Sequence, residues 1–591
     1  MSIRRATVLL ACAALAAGCP PAHTGTGTPP ERYCPGALGC EKGPDGTLKV
    51  GIAAAKVTPT SFELPRPELL VDTGPGCPEG SVLAADGGIH CGKLKDGATD
   101  FFLDCGRDRL CAGDPGYLGP DADGSEGDGK FEGVWMAGYS SNKPAVGVHD
   151  DLWARAVVLV NGDVSVAIEA IDVVGLFQDD VQRIRNRVAE KAPELALDYV
   201  LVASTHTHAG ADTLGQWGPS NNGVPTARGV DDVWLVHTLV ENAAQAIVDA
   251  ARSARPARVF ATQAHLGATT AELISDTRDP FVVDDAVTAL EFTEAKTGDV
   301  IGTLVSFGNH PETVGGANNL LTSDFAWALR EGMERGLTTR SGEQVAAGLG
   351  GTCVFVNGAV GGMMTSLHAH PTSLDGDKPA DETFAKAKAV GENVAKLALR
   401  ALEDAPELKA PPLAYGAQSV RLVVENEVFH LAFIGLELLK RKLVDFDRSK
   451  PISPDNMPKV MTEIAKVQLG PVRFLAVPGE LLPELAIGYD PAFSFGQPRV
   501  RPDNPNPPPL SSAPPPPYLK EQLGGDWGCV FGLANDELGY LIPPYDYLLD
   551  ASFPYFQEAP GNHYEETNSL GPSAAPALLE AYGKLLSWEP G

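Results

Sequence analysis

The sequence predicts an α/β fold in which mixed β-sheets are flanked by helices. From about Val50 onward, short apolar runs alternate with amphipathic stretches of helical periodicity, which is typical of this class. The 591 residues are 43% hydrophobic, so the chain can bury a large core. Strand-like sequence resumes after each irregular segment. We therefore expect a single large domain over 48–585, with a disulfide-bonded insertion at about 73–135 and a proline-rich one at 496–521.

Individual elements follow from local patterns. Residues 154–172 predict two strands joined by a turn at Asn161-Gly162. Helical periodicity predicts helices over 179–195, 231–254 and 382–404. Aspartates open the first two of these segments, where they can cap the first turn.

The N-terminus has the order of a secretory leader. A basic pair, an apolar run and small residues precede Cys19 in "AAGC", which resembles a bacterial lipobox. We expect residues 1–18 to be a signal peptide and 19–47 a lipidated tether, because the tether is rich in proline, threonine and glycine. The protein would then be an exported lipoprotein of the cell envelope, at the outer membrane or cell surface. The alternative is an ordinary signal peptide in which Cys19 is incidental.

Eight cysteines remain after Cys12 and Cys19, and an even number in an exported chain favours disulfides. Proximity in sequence suggests the local pairs Cys34–Cys40, Cys77–Cys91 and Cys105–Cys111. Cys353 and Cys529 remain, and we expect them to pair. Eight cysteines permit 105 pairings, so this connectivity is a hypothesis from spacing.

Charge and loop composition bear on possible partners. The formal net charge of −30 repels phosphate backbones, which argues against nucleic acid. The Gly/Asp-rich segment 116–133 offers oxygen ligands for Ca²⁺, but it lacks the twelve-residue EF-hand spacing. A solvated, turn-rich loop is the alternative for this segment.

Several apolar strands end on residues with metal-binding chemistry. "YVLVAS" is followed by His206 and His208, "VIGTLVSFGN" by His310, and "VRFLAVPG" by Glu480. In open α/β sheets, groups at the carboxyl ends of strands converge on one crevice. Zn²⁺ binds neutral imidazole nitrogens and carboxylate oxygens, and these residues would form a plausible zinc site. Buried, hydrogen-bonded structural histidines are the alternative.

The chain resembles the catalytic N-terminal domain of the neutral/alkaline non-lysosomal ceramidase family. The resemblance extends from about Val50 to Gly583 and makes this a divergent bacterial member. The motifs that carry it, in order, are "KVTPT", "STHTHAG", "GNHPETVGGANNLLTSDFAWAL", "VFVNGAVGG", "VPGELL", "GLANDELGY" and "HYEETNSLGP".

That family hydrolyses the amide bond of N-acyl sphingosines with a zinc ion that activates a serine. By resemblance, the zinc ligands are His206, His310, Glu480 and Tyr540. The tyrosine is assigned on this basis alone.

Three further roles follow from the same resemblance. His208 is implied beside the metal as a proton-transfer or substrate-orienting group. Tyr564 in "HYEE" and, more loosely, Arg278 in "SDTRDP" are implied to stabilise the oxyanion.

The chain departs from the family at the nucleophile. The family serine stands in a Gly-Asp-Val-Ser run, and here Ala359 and Gly361 occupy the aspartate and serine positions. Thr365 and Ser366 are the nearest hydroxyls and are candidate nucleophiles. A metal-bound water is the other possibility.

The expected function is therefore zinc-dependent hydrolysis of an N-acyl, ceramide-like amide bond, with a lipid substrate and a membrane contact through Cys19. The alternatives are a non-catalytic surface lipoprotein, which the glycine at Gly361 would favour, and a zinc esterase or lactonase. We also expect the β-sandwich domain that follows the catalytic domain in the family to be absent.

The lipobox predicts that the mature protein begins at an acylated Cys19. Acyl chains on this residue would hold the protein at a membrane surface through the flexible segment that follows. Mass spectrometry of the mature N-terminal peptide should show a lipid-sized mass increment. An unmodified N-terminus located beyond Cys19 would contradict this prediction.

Overall fold

The computed structural model describes residues 31–36, 46–71, 92–362 and 364–590. It confirms the predicted α/β class: two mixed β-sheets pack face to face, and helices cover their outer faces. Among the helices of the described segments, none combines the length and apolar character needed to cross a bilayer.

The strands of the two large sheets are numbered here in chain order. They are β1 (Arg32–Cys34), β2 (Leu48–Lys56), β3 (Trp153–Asn161), β4 (Val164–Ile171), β5 (Tyr199–Ser204), β6 (Arg255–His265), β7 (Ala286–Glu294), β8 (Val300–Phe307), β9 (Thr352–Asn357), β10 (Leu413–Val423), β11 (Leu443–Val444), β12 (Lys459–Leu469), β13 (Val472–Ala476) and β14 (Trp527–Phe531).

The larger sheet has the strand order β9-β8-β7-β6-β2-β3-β4-β5. Its neighbours are antiparallel except for the two outermost pairs, β9 with β8 and β4 with β5, which are parallel. The predicted hairpin is present as β3 and β4. Gly162 in its turn has a φ of +62°, a left-handed conformation that glycine adopts without strain.

The smaller sheet has the order β1-β10-β12-β13-β14, and β11 pairs with β12. The pairs are antiparallel except for β13 with β14, which is parallel. Parallel pairs therefore occur at both edges of the larger sheet and at one edge of the smaller sheet.

The longer helices are α1 (Gln178–Lys191), α2 (Glu241–Ser253), α3 (Phe325–Arg335), α4 (Phe384–Glu403) and α5 (Ala574–Leu586). Short strand pairs join Leu70–Val71 to Lys93–Leu94, Gly147–Val148 to Leu320–Leu321, Ser220–Asn221 to Val224–Pro225, Gly336–Thr338 to Gln344–Ala347, and Glu480–Leu481 to Tyr540–Leu541. Short helices and helical turns cover Pro67–Leu69, Asp232–Trp234, Leu235–Val240, Gly267–Thr269, Thr270–Leu273, Glu427–His430, Leu431–Gly435, Pro454–Asn456, Pro483–Ile487, Pro491–Ser494, Leu510–Ser512, Leu519–Leu523, Pro544–Asp546 and Tyr564–Thr567.

The three predicted helices are present, with one difference in capping. Asp231 caps its helix as expected, by accepting a hydrogen bond from the Val233 amide at 3.0 Å. The helix predicted over 179–195 begins at Gln178, so Asp179 lies inside the first turn and does not cap it. Its negative charge there still interacts favourably with the positive N-terminal end of the helix dipole. α4 is capped by Thr383, whose hydroxyl accepts from the Lys386 amide.

The molecule has four layers, which are helices, the larger sheet, the smaller sheet and α5. Apolar cores lie between neighbouring layers. One core lies between the two sheets and includes Val157 and Val354 of the larger sheet and Val467 and Phe474 of the smaller one. Two further cores lie where the outer face of the larger sheet meets α1 and α2, and where it meets α3 and α4. The outer face of the smaller sheet packs on α5. The central core holds the strand ends of both sheets in fixed relation.

The cysteine predictions are partly confirmed. Cys105 and Cys111 form a disulfide within the first insertion. Cys34 is also disulfide-bonded, but Cys40, its predicted partner, lies outside the described residues, as do Cys77 and Cys91.

The expected Cys353–Cys529 disulfide is wrong, because both are free, buried thiols. Cys353 lies on β9 and packs toward α3 and α4 on the outer face of the larger sheet. Cys529 lies on β14 and faces the core between the sheets. The two side chains therefore belong to different layers. Burial raises the pKa of Cys353 to about 11 and that of Cys529 to about 12, so both stay protonated at neutral pH.

Candidate metal centre

The predicted site residues follow the carboxyl ends of parallel strand pairs. His206 and His208 follow β5, His310 follows β8, Glu480 follows β13, and Tyr540 lies downstream of β14. A short parallel ladder sets Glu480 directly opposite Tyr540 in register. The expected convergence of strand ends on one crevice is thus present, and it draws on both sheets.

Three histidines and one glutamate form the centre of this crevice. One ring nitrogen from each of His206, His208 and His310 lies within 4.8 Å of the other two. The Nε2 atoms of His206 and His208 are 3.3 Å apart. Glu480 Oε2 lies 3.0 Å from His310 Nε2 and 3.4 Å from His206 Nε2. All four side chains are buried.

Main-chain carbonyls orient two of the imidazoles. His206 Nδ1 is 2.5 Å from the Val174 carbonyl oxygen, and His310 Nδ1 is 2.8 Å from the Met364 carbonyl oxygen. With each Nδ1 held by a carbonyl oxygen, the Nε2 atoms of His206 and His310 both face Glu480. Metal-ligating histidines are commonly oriented by such an outer hydrogen bond. The donor set therefore fits a divalent cation such as Zn²⁺.

The backbone at His206 is held in an unusual conformation. Its φ is +67°, in the left-handed region that residues other than glycine seldom adopt. The His206 amide donates to the Val173 carbonyl at 3.0 Å, which helps to fix this turn. Strain of this kind persists where the surroundings over-determine a functional geometry.

The electrostatics of the centre favour a cation between these groups. Burial disfavours the charged form of His206, but the Glu480 carboxylate raises the pKa of His206 to about 9. Burial opposes ionisation of Glu480 as well, yet His206 and His310 hold the pKa of Glu480 below its ordinary value. The ionised Glu480 carboxylate is therefore stabilised by positive charge at this position.

His208 has a different environment from the other two histidines. Burial, reinforced by His206 and His310, lowers the pKa of His208 well below its ordinary value. Its Nδ1 lies 3.4 Å from Glu312 Oε2 and has no hydrogen-bond partner among the described residues. A neutral imidazole with this freedom suits proton transfer or substrate contact better than it suits the anchored role of His206.

The two tyrosines border the same narrow cleft, whose cavity volume is about 60 Å³. Tyr540 is buried, and its ring centroid lies 6.1 Å from that of Tyr564. Burial, together with the charge of Glu480, raises the pKa of Tyr540 well above its ordinary value. Tyr564 is 45% exposed and stands at the rim. The apolar wall of the cleft includes Val174, Phe177, Leu214, Trp217, Phe429, Phe433, Leu439 and Leu570.

Arg278 lies in a buried ion-pair network. Its guanidinium donates to Asp546 at 2.9 Å, to Glu565 at 2.7 Å and to Glu566 at 2.9 Å. Arg278 is not one of the described residues that line the cleft. Because Glu565 and Glu566 follow Tyr564 in one short helix, Arg278 anchors the helix that presents Tyr564.

The candidate hydroxyl nucleophiles are engaged in hydrogen bonds elsewhere. Ser366 Oγ accepts from Asn309 Nδ2 at 2.7 Å and donates to the Leu273 carbonyl at 3.1 Å. Thr365 Oγ1 accepts from the Leu367 amide at 3.0 Å. Both residues are buried, and neither is among the described residues that line the cleft.

Gly361 occupies a position where no side chain fits. A Cβ built there would lie 2.6 Å from Leu481 C, 2.6 Å from Leu482 N and 2.7 Å from Glu480 O. The Gly361 amide donates to the Leu481 carbonyl at 2.9 Å, so the two segments are in direct contact. The glycine therefore allows the strand that bears Glu480 to approach the Gly-rich turn.

Glu537 is a cleft residue that sequence reasoning missed. It lines the cleft together with His206 and Glu480, and it is only 6% exposed. Burial, with a contribution from the negative charge of Glu480, raises the pKa of Glu537 to about 8. The signal was the carboxylate in "NDELGY", three residues before Tyr540.

The acidic groups of the first insertion lie elsewhere. Asp104 and Glu132 of the insertion and Glu63 before it have carboxylates close enough together to hold a cation. Only Glu132 belongs to the predicted Ca²⁺ segment 116–133. Asp121 and Asp123 in that segment bond to Ser125. Calcium binding by the segment stays a prediction.

Comparison with known proteins supports the resemblance drawn from the motifs. Residues 125–408 match the family described as neutral/alkaline non-lysosomal ceramidase, N-terminal. The fold is similar to the crystal structure of neutral ceramidase from Pseudomonas aeruginosa, with a TM-score of 0.55 and 14% identity over 91% of this chain and 74% of that one. A structure described as ceramidase complexed with C2 matches with a TM-score of 0.54 and 14% identity, over 91% of this chain and 75% of that one. No curated protein sequence matches this chain.

Gly361→Ser is expected to destabilise the protein and not to raise any hydrolytic activity. The new Cβ would force apart the main chain at Leu481 and Leu482, and overpacking of this kind costs about 1–3 kcal/mol. The free energy of unfolding from urea titration measures the effect. Gly583→Ser is the control, because a Cβ at Gly583 meets open space on α5. Equal stability of both variants would contradict the expected clash.

His206→Ala should lose bound zinc, whereas His208→Ala should keep it near stoichiometry. His206 is anchored at Nδ1 and faces Glu480 through Nε2, while His208 lacks such an anchor. Turnover of His208→Ala should fall by roughly two to four orders of magnitude, the usual range for a positioned proton-transfer group. Elemental analysis of the purified variants decides the assignment. His265→Ala is the control, since His265 bonds to Asp285 at the surface. Equal zinc loss in the first two variants would refute the distinction.

Proposed function

Because residues 125–408 match the N-terminal region of the neutral/alkaline non-lysosomal ceramidase family, we propose that this protein is a zinc-dependent hydrolase of N-acyl lipids. Its substrate would be an amide of the ceramide class. The observation that supports this proposal best is the convergence of His206, His310, Glu480 and Tyr540 beside one apolar cleft.

Each part of the substrate has a matching part of the cleft. The side chains of Phe429, Phe433 and Leu439 offer an apolar wall for a hydrocarbon chain, whose burial is favourable in proportion to its area. His206, His310, Glu480 and Tyr540 would hold zinc, and zinc when bound would polarise the scissile carbonyl. Tyr564 at the rim would donate a hydrogen bond to the developing oxyanion, and Arg278 would keep its helix in place.

The missing serine shapes the proposed chemistry. Gly361 offers no nucleophile, and the hydroxyls of Thr365 and Ser366 are already hydrogen-bonded away from the cleft. We therefore propose that water attacks the carbonyl carbon. His208 would contact the substrate or carry a proton beside the centre.

The proposed location follows from the leader. Anchoring through Cys19 would place the protein at a membrane of the cell envelope. An exported lipoprotein with an apolar cleft would then meet its substrate at the surface to which it is attached.

The purified protein should hydrolyse fluorogenic N-acyl sphingosine amides, lose this activity on chelation and regain it when Zn²⁺ is added. The test uses a panel of amides with different acyl chains, the matching esters and a lactone. His206→Ala serves as the variant expected to lack metal. Cleavage of esters without amides would favour an esterase or lactonase. No turnover of any substrate by the zinc-loaded protein would favour a non-catalytic lipoprotein.

A further inference from the structure

Amide hydrolysis by water needs a group that carries a proton. The attacking water must lose a proton as its oxygen adds to the carbonyl carbon, and the departing nitrogen must gain one as the C–N bond breaks. A side chain that serves this purpose must reach the cleft with an oxygen or nitrogen that is not already bonded to the protein.

The free oxygen of Glu537 meets these requirements. Glu537 Oε2 is buried and has no hydrogen-bond partner among the described residues, while Oε1 accepts from the Gly539 amide at 2.8 Å. The side chain lines the cleft together with His206, Glu480 and Tyr540. A buried polar atom without a partner costs free energy, so its presence calls for an explanation.

Neighbouring contacts hold Glu537 in this position. The preceding Asp536 pairs with Arg441 and accepts from the Gln178 amide at 2.9 Å, which fixes the loop on both sides. Gly175 packs against the Glu537 side chain, because a Cβ at Gly175 would lie 2.8 Å from Glu537 Cγ. A rigid, preorganised carboxylate is the arrangement that proton transfer in an active site requires.

Other buried carboxylates with a free oxygen differ from Glu537 in location. In the described part of the chain, Glu312, Glu484 and Asp546 each have one oxygen without a hydrogen-bond partner, and Glu169 has two. All four residues are at most 3% exposed, and none is among the described residues that line the cleft. Glu537 therefore combines a free oxygen with a place in the cleft lining.

We propose that Glu537 is a catalytic residue of this site and carries the proton during amide hydrolysis. In its ionised form, the carboxylate takes one proton from the water whose oxygen bonds to the carbonyl carbon. The same proton passes to the amide nitrogen as the C–N bond breaks, so the products are a fatty acid and an amine and the carboxylate is regenerated. This inference rests on the proposed function and adds to it the residue that carries the proton of the attacking water.

The test compares Glu537→Gln with Glu484→Gln in the full, zinc-loaded protein. Glutamine keeps the shape of the side chain but cannot accept the proton, so kcat of Glu537→Gln should fall roughly 10²- to 10⁴-fold. Zinc content by elemental analysis and the Kd for an uncleaved amide should stay unchanged. Glu484→Gln should retain wild-type turnover, because Glu484 is also buried but lies outside the cleft lining.

Two further measurements separate a catalytic role from a structural one. Binding of a phosphonamidate analogue of the tetrahedral adduct should weaken by about tenfold or more in Glu537→Gln, since the lost contact is made in the transition state. Added formate should restore part of the turnover of Glu537→Ala, because it supplies a carboxylate in the vacated space.

The possible results distinguish the two proposals. Turnover by Glu537→Gln within threefold of wild type, or loss of zinc from that variant, would overturn the role of Glu537 while leaving the proposed function intact. Absence of amide hydrolysis by the wild-type, zinc-loaded protein would overturn the proposed function and this inference together. Loss of kcat with zinc, amide affinity and the Glu484→Gln control preserved would support the inference.

Discussion

The carboxylate of Glu480 lies between the imidazoles of His310 and His206, at 3.0 Å and 3.4 Å, and this contact connects the two sheets. The histidines follow strands of the larger sheet, whereas Glu480 follows β13 of the smaller one. Because all three groups are buried, their attraction is strong, but it lasts only while the two sheets keep their relative positions. The apolar core between the sheets fixes those positions, so the chemistry of the site depends on face-to-face packing of the whole molecule.

Close backbone contacts at glycines make this junction possible. A Cβ at Gly532, just after β14, would lie 2.2 Å from Gly358 O, just after β9. A Cβ at Gly358 would lie 3.0 Å from Gly308 Cα, just after β8. Gly361 continues the same contact against the segment of Glu480. Larger residues would push the strand ends apart, and the ligands they bear would separate with them. The glycine at the family's serine position thus has a packing role in this chain.

Carboxylate and imidazole groups line the cleft, whereas the hydroxyls of Thr365 and Ser366 do not. Ser366 is committed to Asn309 and Leu273, and it helps to hold the turn after β9 in place. Glu537 has a free oxygen, and it lines a cleft that combines apolar side chains with the cluster of His206, His208 and Glu480. The low polarity of the cleft strengthens each of the few polar contacts that a substrate would make there.

The sequence by itself determined the α/β class, the main helices and the β3–β4 hairpin, because periodicity and turn residues are local signals. It also determined that His206, His310 and Glu480 follow strands, which was sufficient to predict that they meet. Only the tertiary structure decided that Cys353 and Cys529 face different layers, that Thr365 and Ser366 lie outside the cleft lining, and that Glu537 belongs to it. Strand direction can be inferred from sequence, but the face toward which a side chain points depends on pleat, register and the packing of segments far apart in the chain.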